Sequence, residues 1–212
     1  MLQYQTLILG ELNTNCYLVW CDQTQETIII DPADSGDLIS EKILELKLDP
    51  QIIILTHGHY DHCLACLELK LNFNLPIFIH SQDLFLYQKA NQSANYHGNF
   101  KSDPLPPPDN FLEDNQIINF GKETLTIIHT PGHTPGSICL HYQKSNAPSL
   151  FSGDTLFANG IGRTDLSYSS PTDLQKSLEK ILKLKTNTKV YPGHGPTTTI
   201  GNKKIFFNLE KA

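Results

Sequence analysis

The sequence predicts a layered α/β domain. Short apolar, β-branched runs alternate with amphipathic helical patterns along all 212 residues. The first runs follow one another without helices between them, which points to hairpins and a mixed sheet rather than a purely parallel one. Composition agrees: 39% hydrophobic residues, 18% charged and 13 glycines are ordinary for a globular chain. A chain of this length can bury roughly two-thirds of its unfolded surface, so neither disulfides nor metal is needed merely to fold it. No repeat and no linker divides it, and a single domain over 1–212 is expected.

Expected strands are Thr6–Leu9, Asn15–Cys21, Thr27–Ile30, Gln51–Leu55, Ile77–Ile79, Gln116–Phe120, Glu123–His129, Ile138–Tyr142, Ser149–Ser152 and Lys189–Tyr191. Expected helices are Asp37–Leu48, Asp61–Asn72, Gln82–Ala90 and Pro171–Lys185. The last has a strong start: Ser170 can cap, Pro171 suits the first helical position, and Asp173 stands where a capping-box acid belongs. Residues 91–114 break the pattern with Asn, Ser, Gly and the run Pro104-Leu105-Pro106-Pro107-Pro108, read as a stiff surface connection.

Sixteen Lys and Arg against 22 Asp and Glu leave a net charge of −6, which argues against a sequence-independent nucleic-acid coat. No apolar run approaches the roughly 18 residues of a membrane span. Met1–Gln5 lacks the basic and apolar regions of a signal peptide, and five cysteines make an odd number for a disulfide framework. The expectation is a reduced, cytoplasmic protein with no membrane and no nucleic-acid partner.

The nine histidines are the compositional oddity. Three fall in Thr56-His57-Gly58-His59-Tyr60-Asp61-His62, directly after the apolar run Ile52–Leu55. A strand end followed by a tight turn and a helix start places polar side chains at a sheet's C-terminal edge, where open α/β sheets build their sites. His57 and His59, two apart in extended chain, point to one side. Asp61 and His62 can reach a second, adjacent point. Three imidazoles and a carboxylate so close together suit a cation such as zinc, iron or manganese. His133, Asp154 and His194 each follow a strand and a glycine elsewhere in the chain, as several strand ends converging on one site require.

These residues resemble the metallo-β-lactamase superfamily, whose signature is His-x-His-x-Asp-His followed by a distant His, Asp and His. Within it the chain is similar to the glyoxalase II-like hydrolases in their short form. That match rests on Asn13-Thr14-Asn15-Cys16-Tyr17-Leu18-Val19, on Ser152–Phe157 with Gly160–Asp165, and on Pro192-Gly193-His194-Gly195-Pro196. The resemblance covers nearly the whole chain and implies a four-layer αβ/βα sandwich with two divalent metals, zinc first and iron or manganese as alternatives. It assigns His57, His59 and His133 to one ion, Asp61, His62 and His194 to the other, and Asp154 as the bridge. Two departures stand out: Ala65 replaces a frequent Gly, and the 18 residues after His194 leave no room for the helical domain with which full-length glyoxalase II proteins grip glutathione.

The implied chemistry is attack of a metal-bridging hydroxide on a small-molecule thioester. Lowering the pKa of water from about 15.7 to about 7 makes hydroxide available near neutrality, and a thiolate is a good leaving group. Asp61 would bind metal and orient the hydroxide. Arg163, nine residues beyond Asp154, stands where the family often places a substrate-binding cation; its alternative is an ion pair with Asp165. A different enzyme on the same scaffold is the persulfide dioxygenase, with one iron on the positions matching His57, His133 and Asp154.

The other candidates read as structural. Cys63 and Cys66 have redox-motif spacing but continue a helix, and Cys16, Cys21 and Cys139 fall in strands. His80, His97, His129 and His141 read as surface or core histidines. Serine-hydrolase, P-loop and dinucleotide motifs are absent.

Overall fold

The computed structural model describes residues 1–98, 102–144, 146 and 148–206. Two six-stranded mixed sheets face each other. The first runs in the order β1 (Leu2–Leu9), β2 (Thr14–Cys21), β3 (Glu26–Ile30), β4 (Asp49–Ile54), β5 (Ile77–His80) and β6 (Asn110–Leu112). The β1–β2–β3 meander is antiparallel, and β3 to β6 are parallel. The second sheet runs β14 (Thr198–Thr199), β13 (Lys189–Pro192), β10 (Ser149–Gly153), β9 (Ile138–Tyr142), β8 (Glu123–His129) and β7 (Ile117–Phe120). Its strands are antiparallel except for the β10–β13 pair. A small ribbon, β11 (Leu156–Phe157) with β12 (Gly160–Ile161), follows β10.

Three apolar layers hold four structural layers together. Between the sheets lie Tyr17, Val19, Ile28, Ile30 and Ile54 against Leu125, Ile127, Leu140, Phe151 and Tyr191. The opposite faces of the same strands carry Leu18, Ile29, Ile53 and Ile79, covered by helices α1 (Gly36–Glu45) and α2 (Cys66–Phe73). On the far side, Leu174, Leu178 and Ile181 of α5 (Pro171–Ile181) cover Ile128, Cys139 and Leu150. Period-2 strands buried on both faces and helices buried on one give the expected αβ/βα sandwich. Each fully buried Leu or Ile contributes about 1.5–3 kcal/mol of gross burial energy.

Several boundaries differ from the sequence expectation. The helix expected over Asp61–Asn72 begins only at Cys66, after a 3₁₀ turn at Tyr60–His62. Ala33 is the cause: its N–H donates to the His62 carbonyl (3.2 Å) and its carbonyl accepts from the Ala65 N–H (3.1 Å), so these groups are diverted from an α-helical ladder. Helix α1 stops at Glu45 rather than Leu48, because Lys47 turns left-handed (φ 55°) and the Leu48 N–H returns to the Ile43 carbonyl. The helix expected over Gln82–Ala90 divides into a 3₁₀ turn at Ser81–Asp83, a single turn α3 (Leu84–Tyr87), and a separate α4 (Ala90–His97).

The stretch 91–114 is therefore partly regular, with most of α4 and all of β6 inside it. Leu105 packs on the core, and the Tyr87 hydroxyl donates to the Pro106 carbonyl at 2.8 Å. Ser170 caps α5 as its sequence suggests, accepting from the Asp173 N–H. The helix stops at Ile181, however, short of the expected Lys185. A short α6 (Ile200–Phe206) follows β14. All five cysteines are free and buried; Cys66 opens α2, and burial pushes the Cys63 thiol well above its ordinary pKa. No helix among the described residues is long and apolar enough to cross a membrane.

Candidate metal centre

The seven residues singled out by spacing stand at strand ends that share one edge of the sandwich. His57 follows β4, His133 follows β8, Asp154 follows β10 and His194 follows β13. The strands β8, β10 and β13 run the same way, so their C-terminal ends converge. The ring nitrogens and carboxylate oxygens meet as two triads, His57/His59/His133 and Asp61/His62/His194, and Asp31 forms a third such group with His57 and His62.

In the first triad, His59 Nδ1 lies 3.0 Å from His57 Nε2 and 3.0 Å from His133 Nε2. In the second, His62 Nε2 is 3.3 Å from His194 Nε2, and Asp61 Oδ2 is 3.4 and 3.3 Å from those two atoms. Asp154 reaches both triads: Oδ2 is 3.6 Å from His133 Nε2 and 3.6 Å from His194 Nε2, while Oδ1 is 3.6 Å from His62 Nε2.

Surrounding groups fix the tautomers. His133 Nδ1–H donates to the Arg163 carbonyl at 2.9 Å, and His194 Nδ1–H to the Leu12 carbonyl at 3.0 Å. The Thr56 hydroxyl donates to Asp31 Oδ2 (2.6 Å), so its oxygen accepts from His57 Nδ1–H (3.1 Å). His62 Nδ1–H faces Asp31 Oδ2 at 3.0 Å. Each of these four rings therefore presents Nε2 to the cluster, as ring orientation by an outer partner does in metal sites.

These residues fit divalent ions. Two nitrogens bound to one zinc at tetrahedral angles and about 2.0–2.1 Å would sit roughly 3.3 Å apart, close to the separations found here. Converging lone pairs repel unless a cation lies between them. Asp154 Oδ1 is buried and makes no hydrogen bond among the described residues, a costly state for a carboxylate oxygen without a counter-charge. Electrostatics tell the same story. Burial, then the neighbouring imidazoles, hold His57 well below its ordinary pKa and take His59 down to about 3. Burial also opposes charge on His62, yet Asp61, Asp154 and Asp31 together carry it up to about 10. Burial would raise Asp61, but His62, His194 and His59 keep it below the usual carboxylate range. Positive charge is favoured between the carboxylates.

Several contributors were not legible in the sequence. Asp31, buried at the end of β3, also accepts from the Thr56 N–H at 2.7 Å and so braces both His57 and His62. The Tyr168 hydroxyl meets His59 Nε2 at 2.6 Å. The Asn13–Val19 stretch acquires a structural purpose: Asn15 Nδ2 donates to the Pro192 and Gly195 carbonyls, the Tyr17 hydroxyl donates to the Pro192 carbonyl, and the Thr14 hydroxyl donates to Asp61 Oδ2. Asn15 and Tyr17 thus hold the loop that bears His194, and Thr14 holds Asp61.

Arg163 is not drawn into the cluster by its side chain. The guanidinium is 70% exposed and pairs with Asp165 through two 2.9 Å hydrogen bonds; only its carbonyl reaches His133. His80 and His129 stack on each other, with centroids 4.1 Å apart, away from both triads. His97 packs parallel to the ring of Tyr60, and His141 is buried with Nδ1 bonded to Gln143. An open cleft lined by Phe157, Ala158, Asn159 and Pro196 borders His194.

A family profile described as the metallo-beta-lactamase superfamily matches residues 9–194. Hydroxyacylglutathione hydrolase GloC of Haemophilus influenzae is 36% identical over 193 residues, 90% of this chain and 89% of that protein. Among solved structures, the B3 metallo-beta-lactamase BLEG-1 superposes with a TM-score of 0.89 at 33% identity, covering 99% of this chain and all of that one. TTHA1623 in a di-iron-bound form superposes with a TM-score of 0.85 at 36% identity, covering 94% and 96%.

Proposed function

This chain belongs to the metallo-β-lactamase superfamily of metal-dependent hydrolases, and on that premise we propose that it is a two-metal thioesterase of the glyoxalase II kind. In this reading His57, His59 and His133 hold one ion, Asp61, His62 and His194 hold a second, and Asp154 joins the two. The supporting observation is the placement of Asp154, with one oxygen within 3.6 Å of a histidine in each triad. The di-iron relative and the hydroxyacylglutathione hydrolase relative support the metal count and the substrate class respectively.

Divalent ions bound there would activate water and polarise a carbonyl as Lewis acids. The chain's own groups do the rest. Asp61, kept ionised by the imidazoles around it, is steadied by the Thr14 hydroxyl at 3.1 Å and would bind metal and orient the attacking water. The Leu12 and Arg163 carbonyls hold the His194 and His133 rings so that neither must reorient during turnover. The cleft beside His194 is where the small acyl thioester would lie. A departing thiol with a pKa near ~8.5 needs little help in leaving at neutral pH.

The one-iron persulfide dioxygenase is the competing reading. It would use His57, His133 and Asp154 and give no metal-holding role to the Asp61/His62/His194 triad, whose donor atoms lie 3.3–3.4 Å apart. Metal content by mass spectrometry, on protein purified without chelator or histidine tag, separates the two. Near two ions per chain, thiol release from a hydroxyacyl thioester and loss of most of kcat in Asp61→Ala are the expected results. One iron per chain, with oxygen uptake on a persulfide, would sink the thioesterase.

A further inference from the structure

We infer that Asp83 is the positioning residue for the His57/His59/His133 triad, locking the two loops that carry those rings into one register. The inference rests on the metal assignment proposed above. Asp83 is fully buried at the end of the 3₁₀ turn that follows β5. Among the described residues, no cationic side chain donates a hydrogen bond to its carboxylate. Oδ2 accepts from the Gly58 N–H at 2.9 Å and from the Thr134 hydroxyl at 2.6 Å, and Oδ1 accepts from the Gly136 N–H at 2.6 Å. Gly58 lies between His57 and His59; Thr134 follows His133 directly. One carboxylate thus ties together the loop after β4 and the loop after β8, which otherwise belong to different sheets.

Packing supports the same role. A Cβ on Gly58 would stand 2.8 Å from the Asp83 carbonyl oxygen, and a Cβ on Gly136 would stand 2.7 Å from Asp83 Cγ. Both glycines are where they are because the Asp83 segment lies against them. The segment braces the triad a second time from its other side. Phe85, two residues on, packs edge-on against Tyr168 with centroids 5.8 Å apart, and Tyr168 bonds His59 Nε2. Below, Tyr87 is buried and anchored to the Pro106 carbonyl. Burying an ionised carboxylate is costly, and three donors aimed at it offset that cost only while both loops hold their positions. In the Asp83→Asn protein the new amide nitrogen would face an N–H donor, so at least one of the loops is released.

Metal-free wild type, Asp83→Asn and Gly136→Ala are titrated with Zn²⁺ against a chromophoric chelator, with imidazole NMR identifying the rings that respond. The substituted proteins should bind the ion sensed by His62 and His194 as wild type does. They should bind the ion sensed by His57, His59 and His133 about 10–100-fold more weakly, the usual effect of losing an outer partner. Equal weakening at both sites, or none at either, overturns the positioning role. Wild type that takes up no ion through His57, His59 and His133 defeats the metal assignment itself, and the positioning role with it. Should Asp83→Asn not fold, Gly136→Ala, which leaves the carboxylate in place and pushes on it, decides the matter.

Discussion

Replacing Gly193 by Ala tests how little room the centre has. The glycine precedes His194, and its φ is not in the left-handed region, so the substitution acts through space alone. The added Cβ would lie 2.2 Å from Asp154 Oδ1 and 2.8 Å from His62 Cε1, with the Gly153 carbonyl carbon 3.2 Å behind. Real Cβ contacts stay beyond 3.0 Å, so Asp154 must retreat by close to an ångström. Overpacking of this kind costs about 1–3 kcal/mol, and a chain of this size loses about 2–4 °C of Tm per kcal/mol. A displacement of about 1 Å in a reacting constellation costs roughly 10²-fold in rate. Metal stoichiometry, thermal unfolding of the metal-free protein and thioester turnover are measured together, with Gly160→Ala as the control because nothing lies within 4 Å of its Cβ. The expected result is lost or weakened metal, a lowered Tm and turnover down about a hundredfold in Gly193→Ala only. Two ions bound at wild-type affinity, with turnover equal to the control, would refute the geometry on which the centre is built.

Two further outcomes follow from charge. Arg163→Ala should raise KM much more than it lowers kcat if the guanidinium binds a substrate carboxylate, whereas an unchanged KM reduces it to an exposed, solvent-screened pair with Asp165. Asp165→Ala, which frees the arginine, should then leave KM equal or lower. His62 contributes to the pH response of the metal-free chain. Its pKa is raised from 6.5 to about 10, so its stabilising contribution is complete below pH 6.5 and disappears as pH rises through 10. Unfolding midpoints of the metal-free protein should fall over that window. Zinc binding at pH 7.5 should release at least one proton, read by calorimetry in buffers of different ionisation enthalpy; a proton count of zero contradicts the assignment of His62.

Longer elements were legible because their signals are local. The run Thr27-Ile28-Ile29-Ile30 is β-branched throughout and cannot easily be anything but a buried strand, and the caps of α5 lie within four residues of one another. The pieces that escaped are those whose regularity is set by a neighbour. The strands β6, β11, β12 and β14 span two or three residues each and exist because another strand lies alongside. The helix after His62 starts late because Ala33, some thirty residues earlier in the chain, occupies its backbone groups, and no window around Asp61 contains that information.

The centre divides along the same line. Its seven predicted residues are types whose chemistry is distinctive, and four of them sit within six consecutive positions, so the pattern announces itself. Asp31, Asp83 and Tyr168 are ordinary residues tied to the cluster by partners 25, 53 and 109 positions away. Yet the sequence did carry a trace of them. Gly58 and Gly136 flank the histidines of two separate loops, and reading each glycine by itself explains only a tight turn. Both in fact record the same object, a carboxylate-bearing segment pressed against them from outside. A glycine beside a ligand therefore reports an approach as well as a conformation. Pairs of such glycines on different loops are places to look for the buried acceptor that joins them.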